Sequence, residues 1–139
     1  MGRILSIDYG RKRTGIAVTD EFQIIATGLT TIHSNDVLKF IKDYIKTEDV
    51  ECIVVGEPKD MKNQPSEASR YIEPFVGALR KKFPEMKIER FDERFTSVMA
   101  HDAMLVGGLK KTKRQDKALV DKISATLILQ SYMHSKDFR

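Results

Sequence analysis

The stretch Ile4-Leu5-Ser6-Ile7-Asp8-Tyr9-Gly10-Arg11-Lys12-Arg13-Thr14-Gly15-Ile16-Ala17-Val18 decides how the chain is read. Two apolar, strand-like runs flank a basic turn bracketed by Gly10 and Gly15, which predicts a β-hairpin over residues 3–9 and 14–20. Asp8 closes the first strand. A carboxylate there, beside Arg11, Lys12 and Arg13, has two readings. It caps the turn while the cations are solvated, or it belongs to a site for metal and phosphate.

Working outward, residues 24–32 are β-branched enough for a third strand. Ser34 or Asn35 offers an N-cap, and Val37, Leu38, Ile41, Tyr44 and Ile45 recur at helical spacing over 36–47. Residues 51–56 end in Ile53-Val54-Val55-Gly56, a continuous apolar run suited to a strand covered on both faces. A polar loop, residues 57–65, leads to a helix from about Ser66 to Phe83, with Pro74 expected to kink or break it. Residues 87–91 alternate as a short strand ending at Asp92-Glu93-Arg94. A helix after Thr96 stops at Gly107-Gly108. The basic run 110–117 follows, then a last helix from Asp116 to about Met133.

The order β-β-β-α-β-α-β-α-α predicts a single α/β domain spanning residues 1–139. Three antiparallel leading strands, then parallel strands linked through helices, make a mixed five-stranded sheet with helices on both faces. Ligands of such sheets lie beyond the carboxyl ends of the strands. Asp8 and Glu93 both fall there.

Asp121 is the third acidic candidate. It shares a stripe of the last helix with Ala118, Ala125 and Ile128, at the border of the packing face, where a lone carboxylate is costly. A salt bridge to a buried cation would satisfy it. So would a metal shared with Asp8 and Glu93. Three converging carboxylates repel one another, and hard divalent cations remove that cost. Two ions about 3.5–4 Å apart activate water and stabilise the leaving oxygen of a phosphodiester. Arg11, Lys12, Arg13 and Arg94, with Lys110, Lys111, Lys113 and Arg114, would hold the flanking phosphates.

The bulk numbers agree with a polyanion partner without requiring one: 24 basic and 20 acidic residues give a net charge of +4. The single cysteine, Cys52, excludes an internal disulfide and sits in an apolar run as a small buried hydrophobe. No run reaches the roughly 18 apolar residues of a membrane span. The chain enters its first strand without a signal-peptide pattern, so a cytoplasmic location is the expectation. His33, His101 and His134 lack zinc spacing. No Gly-x-x-x-x-Gly-Lys-Ser/Thr loop is present, and the length is too small for the paired domains of actin-like ATPases.

Four motifs together carry a resemblance: Asp8-x-Gly10-x-x-Arg13-x-Gly15-x-Ala17, Val55-Gly56-x-Pro58, Asp92-Glu93-Arg94-Phe95-Thr96-Ser97 and Asp121-x-x-x-Ala125. They resemble the motifs of the YqgF (RuvX) family, over nearly the whole chain. The resemblance implies a ribonuclease H-like fold and kinship with RuvC Holliday junction resolvases. It implies a nuclease using Mg²⁺ or Mn²⁺, with Asp8, Glu93 and Asp121 as its acidic triad; the two-metal chemistry above makes two ions the expectation. The usual role is processing the 5′ end of pre-16S ribosomal RNA. A Holliday junction resolvase on branched DNA and a non-catalytic nucleic-acid-binding factor in transcription or ribosome assembly are the alternatives. Monomer and homodimer are both open.

One position departs from the pattern. Gly56-Glu57-Pro58 stands where many members read Gly-Leu-Pro. Glu57 is either an extra metal ligand or a loop residue facing water. Asp92 and Glu93, adjacent on an extended segment, point to opposite faces, and the resemblance favours Glu93.

Overall fold

The computed structural model describes residues 2–57, 69–92 and 117–137. Five strands form one sheet: β1 (Arg3–Tyr9), β2 (Arg13–Thr19), β3 (Ala26–His33), β4 (Val50–Glu57) and β5 (Lys87–Asp92), in the order β3-β2-β1-β4-β5. β1 and β2 pair antiparallel, as do β2 and β3. β4 runs parallel to β1, and β5 parallel to β4. The mixed sheet expected from the element order is therefore found.

Three α-helices cover it: α1 (Val37–Thr47), α2 (Ser69–Lys82) and α3 (Lys117–Asp137). The strands alternate between two cores. Leu5, Ile7, Ile16, Val18, Ile53 and Val55 pack against Val37 and Ile41 of α1 and Ile72, Phe75, Val76 and Leu79 of α2. Ile4, Ala17, Cys52 and Val54 pack on the other face against Ala125, Ile128, Leu129 and Tyr132 of α3. β4 is thus buried on both faces, which is why its sequence is continuously apolar, and Cys52 is part of that packing.

Four local expectations change. β3 begins at Ala26, because the Asp20 carboxylate takes the N–H groups of Phe22, Ile24 and Ile25 and holds Ile24 and Ile25 in the preceding turn. Ser34 caps no helix. It opens a 3₁₀ turn, Ser34–Asp36, whose N-cap is His33, the Nδ1 of which accepts from the Asn35 N–H. α2 runs through Pro74 without a break; the proline sits on the exposed side of the helix, where losing one N–H is tolerated. α3 continues to Asp137, one turn past Met133. The helix expected between Thr96 and Gly107, and the start of α2 at Ser66, lie outside the described residues. Among the described residues, no helix is long and apolar enough to cross a membrane.

Candidate active site at the carboxyl end of β1

Asp8 lies in the last part of β1 and is half-buried. Ile4 packs in the α3-side core, and the Ser6 hydroxyl donates to the Ala125 carbonyl of α3 at 2.6 Å. Alternation puts Asp8 on that same side of the pleat. Its partner across the hairpin is Gly15. Opposed residues of an antiparallel pair hold their Cβ positions about 4.5–5.5 Å apart on one face, so whatever meets Gly15 stands beside Asp8.

What meets Gly15 is the helix turn bearing Asp121. A Cβ built on Gly15 would lie 2.0 Å from the Asp121 carbonyl oxygen. Glycine is required here because the helix backbone occupies the space of a side chain. The fold thereby brings Asp8 and Asp121, 113 positions apart in sequence (121 minus 8), to one face of one hairpin. Arg13, two residues before Gly15, donates through Nε to Asp121 Oδ2 at 3.0 Å. The ion-pair reading of Asp121 therefore holds, although Arg13 is 39% exposed rather than buried and Asp121 keeps 24% exposure.

The basic turn is braced from beneath. Ser34, almost wholly buried, donates its hydroxyl to the Gly10 carbonyl and shares a 2.9 Å hydrogen bond with Thr14 Oγ1. Its backbone N–H donates to the Lys12 carbonyl at 2.9 Å. Arg11 is exposed and sets its guanidinium over the Tyr71 ring, 5.6 Å from the centroid. Tyr9, on the opposite side of β1 from Asp8, stacks on Phe75 at 4.1 Å. Burial, with the neighbouring Tyr71, raises the Tyr9 hydroxyl pKa above the ordinary tyrosine value.

Glu57 and Asp92 are register partners at the ends of β4 and β5. Glu57 continues the alternation of Ile53 and Val55, and Asp92 that of Ile88, so both take the α2 side of the sheet, away from Asp121. Arg90 gathers that side: it pairs with Glu73 at 2.7 Å and Glu57 at 3.9 Å and donates to the Val55 and Gly56 carbonyls at 3.4 Å. Glu93, Arg94, Lys110, Lys111, Lys113 and Arg114 lie outside the described residues. Among the described residues, no three of His, Cys, Asp and Glu converge as a metal cluster.

The donor chemistry, carboxylate oxygen, fits a hard cation. Two carboxylates from different elements share one partly exposed face, where the missing Cβ of Gly15 lets the α3 backbone close on the hairpin. Sequence reasoning missed three supporting residues. Ser6 and Ser34 tie α3 and the basic turn to the sheet, and Arg90 ties β5 to α2. A serine inside the apolar run of β1 was the available signal for the first.

A mixed sheet of this order, with Asp8 near the end of its central strand, defines the ribonuclease H-like class. RuvC of Thermus thermophilus in complex with Holliday junction substrate superimposes with a TM-score of 0.56 and 16% identity, over 96% of this chain and 97% of that one. A second T. thermophilus RuvC structure gives 0.50 and 14%, over 95% and 96%. At such identity the likeness is one of fold.

Within that class the chain belongs to the RuvX family: the family described as "RuvX: Holliday junction resolvase" matches residues 2–135. A relative from Phocaeicola vulgatus is 63% identical over 138 residues, covering 99% of both chains. One from Bacteroides fragilis is 60% identical over 136 residues (98% and 99%), and one from Flavobacterium johnsoniae 58% over 138 residues (99% and 100%). All three carry the name "putative pre-16S rRNA nuclease".

Proposed function

We propose that this chain is a divalent-metal-dependent endonuclease that processes the 5′ end of pre-16S rRNA in the cytoplasm. The observation that carries the reading is the placement of Asp8 and Asp121 on one face of the hairpin, about the Gly15 notch. The names borne by its relatives support the substrate.

Asp8, Asp121 and Glu93 would hold Mg²⁺ or Mn²⁺, two ions in all. When bound, such ions supply Lewis acidity and a water of lowered pKa. The remaining roles belong to the chain. Asp8 sits at the centre of the rim, so its carboxylate is the one best placed to serve both sides of a scissile phosphate. Arg13 fixes one oxygen of Asp121 and orients the carboxylate. Arg11 and Lys12 offer cations on a turn that Ser34 holds rigid, and Arg94, Lys110, Lys111, Lys113 and Arg114 extend the phosphate contacts.

Purified protein should cut an RNA carrying the immature 5′ end of small-subunit rRNA only with Mg²⁺ or Mn²⁺. Folded Asp8→Asn protein cutting as well as wild type would refute the mechanism.

The RuvC likeness favours one second reading, resolution of four-way DNA junctions by the same chemistry. Symmetric cutting needs two active sites, so this reading requires a dimer on the junction. Sedimentation of junction-bound protein as a monomer only would remove it.

A further inference from the structure

We propose that Arg11 and Tyr71 form a stacking platform for an unpaired base next to the phosphodiester at Asp8. The inference rests on the nuclease reading and adds a substrate requirement: the strand beside the cut is single-stranded.

An aromatic ladder climbs from the core to the surface at this point. Phe75 is buried, Tyr9 stacks on it at 4.1 Å with planes 15° apart, and Tyr71 follows at 6.2 Å from Tyr9, tilted 42°. Arg11 lies over Tyr71 as the last, exposed layer. Core packing accounts for Tyr9 and Phe75. It does not account for Arg11, whose guanidinium has no carboxylate or carbonyl partner among the described residues. Held against a ring, that plane offers its outer face and its N–H edge to solvent.

Both chemistries suit one nucleotide: a planar cation or ring stacks on a base while the N–H groups meet its phosphate. Paired bases in a duplex have their faces covered by neighbours, so the platform selects unpaired ones. Its position links it to the site. Tyr9 follows Asp8, their Cα atoms about 3.8 Å apart, and the two side chains leave β1 on opposite sides of the same rim. A strand crossing that rim would place a phosphate at Asp8 and a neighbouring base at Tyr71.

The chain has no tryptophan, so Tyr71→Trp supplies a single fluorescent reporter. In EDTA at fixed salt, a short oligoadenylate should quench it and a blunt RNA duplex of equal length should not. Tyr71→Ala should weaken oligoadenylate binding by about fivefold or more and Tyr71→Phe should not, with duplex binding little changed. Arg11→Lys, a surface change that keeps the charge and loses the plane, should show the same selective loss. Equal losses for both RNAs, or oligoadenylate binding as in wild type for Tyr71→Ala and Arg11→Lys, would overturn the platform. These readings need no cleavage, so failure of the nuclease reading would appear separately, in the metal-dependent assay.

Discussion

Arg13 on β2 and Asp121 on α3, 108 residues apart, are joined by a 3.0 Å ion pair at the edge of the candidate site. Both side chains are partly exposed, so solvent screens the pair and its stabilising effect is at most about 1 kcal/mol. In the proposed mechanism its role is to orient the Asp121 carboxylate. Arg13→Ala should therefore move the thermal midpoint little while lowering cleavage by tenfold or so, a loss of about 1.4 kcal/mol in transition-state stabilisation. Melting curves and cleavage rates on one preparation check this. A large loss of stability would make Arg13 a brace of the hairpin instead.

Removing Asp8 should have opposite effects on activity and stability. Asp8→Asn and Asp121→Asn should each abolish metal-dependent cleavage. In EDTA, Asp8→Asn should stabilise the protein by roughly 1 kcal/mol, because repulsion with the neighbouring carboxylates is relieved. Calorimetry with chelator tests this, and a clear drop in melting temperature would show that Asp8 is structural.

Gly15→Ala should be among the most damaging single-methyl additions in the protein. Its Cβ would meet helix backbone, the Asp121 oxygen at 2.0 Å and carbonyl carbon at 2.4 Å, neither of which can rotate away. Overpacking of this kind costs about 1–3 kcal/mol or more. Urea titration should show that loss, and cleavage should fall further than stability explains, since α3 must lift off the hairpin.

Stability should fall at alkaline pH through Tyr132. Burial, reinforced by the hydrogen bond its hydroxyl donates to Glu89, raises its pKa far above the ordinary tyrosine value. A raised folded-state pKa means the stabilisation is whole below about pH 10, the unfolded value. It is lost as pH climbs above that, because the unfolded chain releases its proton first. Tyr132→Phe should flatten the decline seen in denaturation midpoints between neutral and alkaline pH. Tyr9 and Tyr44, raised in the same direction mainly by burial, leave a residual slope.

The sheet was legible because periodicity and punctuation agree along it. Gly10 and Gly15 mark the hairpin, and the apolar run 53–55 marks a strand buried twice. Asp8 and Asp121 stood out for a related reason, as carboxylates where apolar or small residues were expected. Illegible features were those decided by one side chain reaching across the fold. Ile24 and Ile25 look like strand, but Asp20 captures their N–H groups. Ser34 has the residue type of a cap, but Gly10 and Thr14 claim its hydroxyl. The Arg13–Asp121 pair depends on where α3 lands, which no local spacing encodes.

The notch at Gly15 also bears on how freely such a protein can change. Most spacings in a folded chain are set by side chains, and they drift as cores are repacked. Here strand and helix touch backbone to backbone, so the ruler between Asp8 and Asp121 is the main chain itself. Ala125, Ile128 and Leu129 can be exchanged for residues of like volume while that gauge stays constant. The spacing of these two residues is thereby insulated from neutral drift in the core, at the cost of a position where a side chain meets helix backbone.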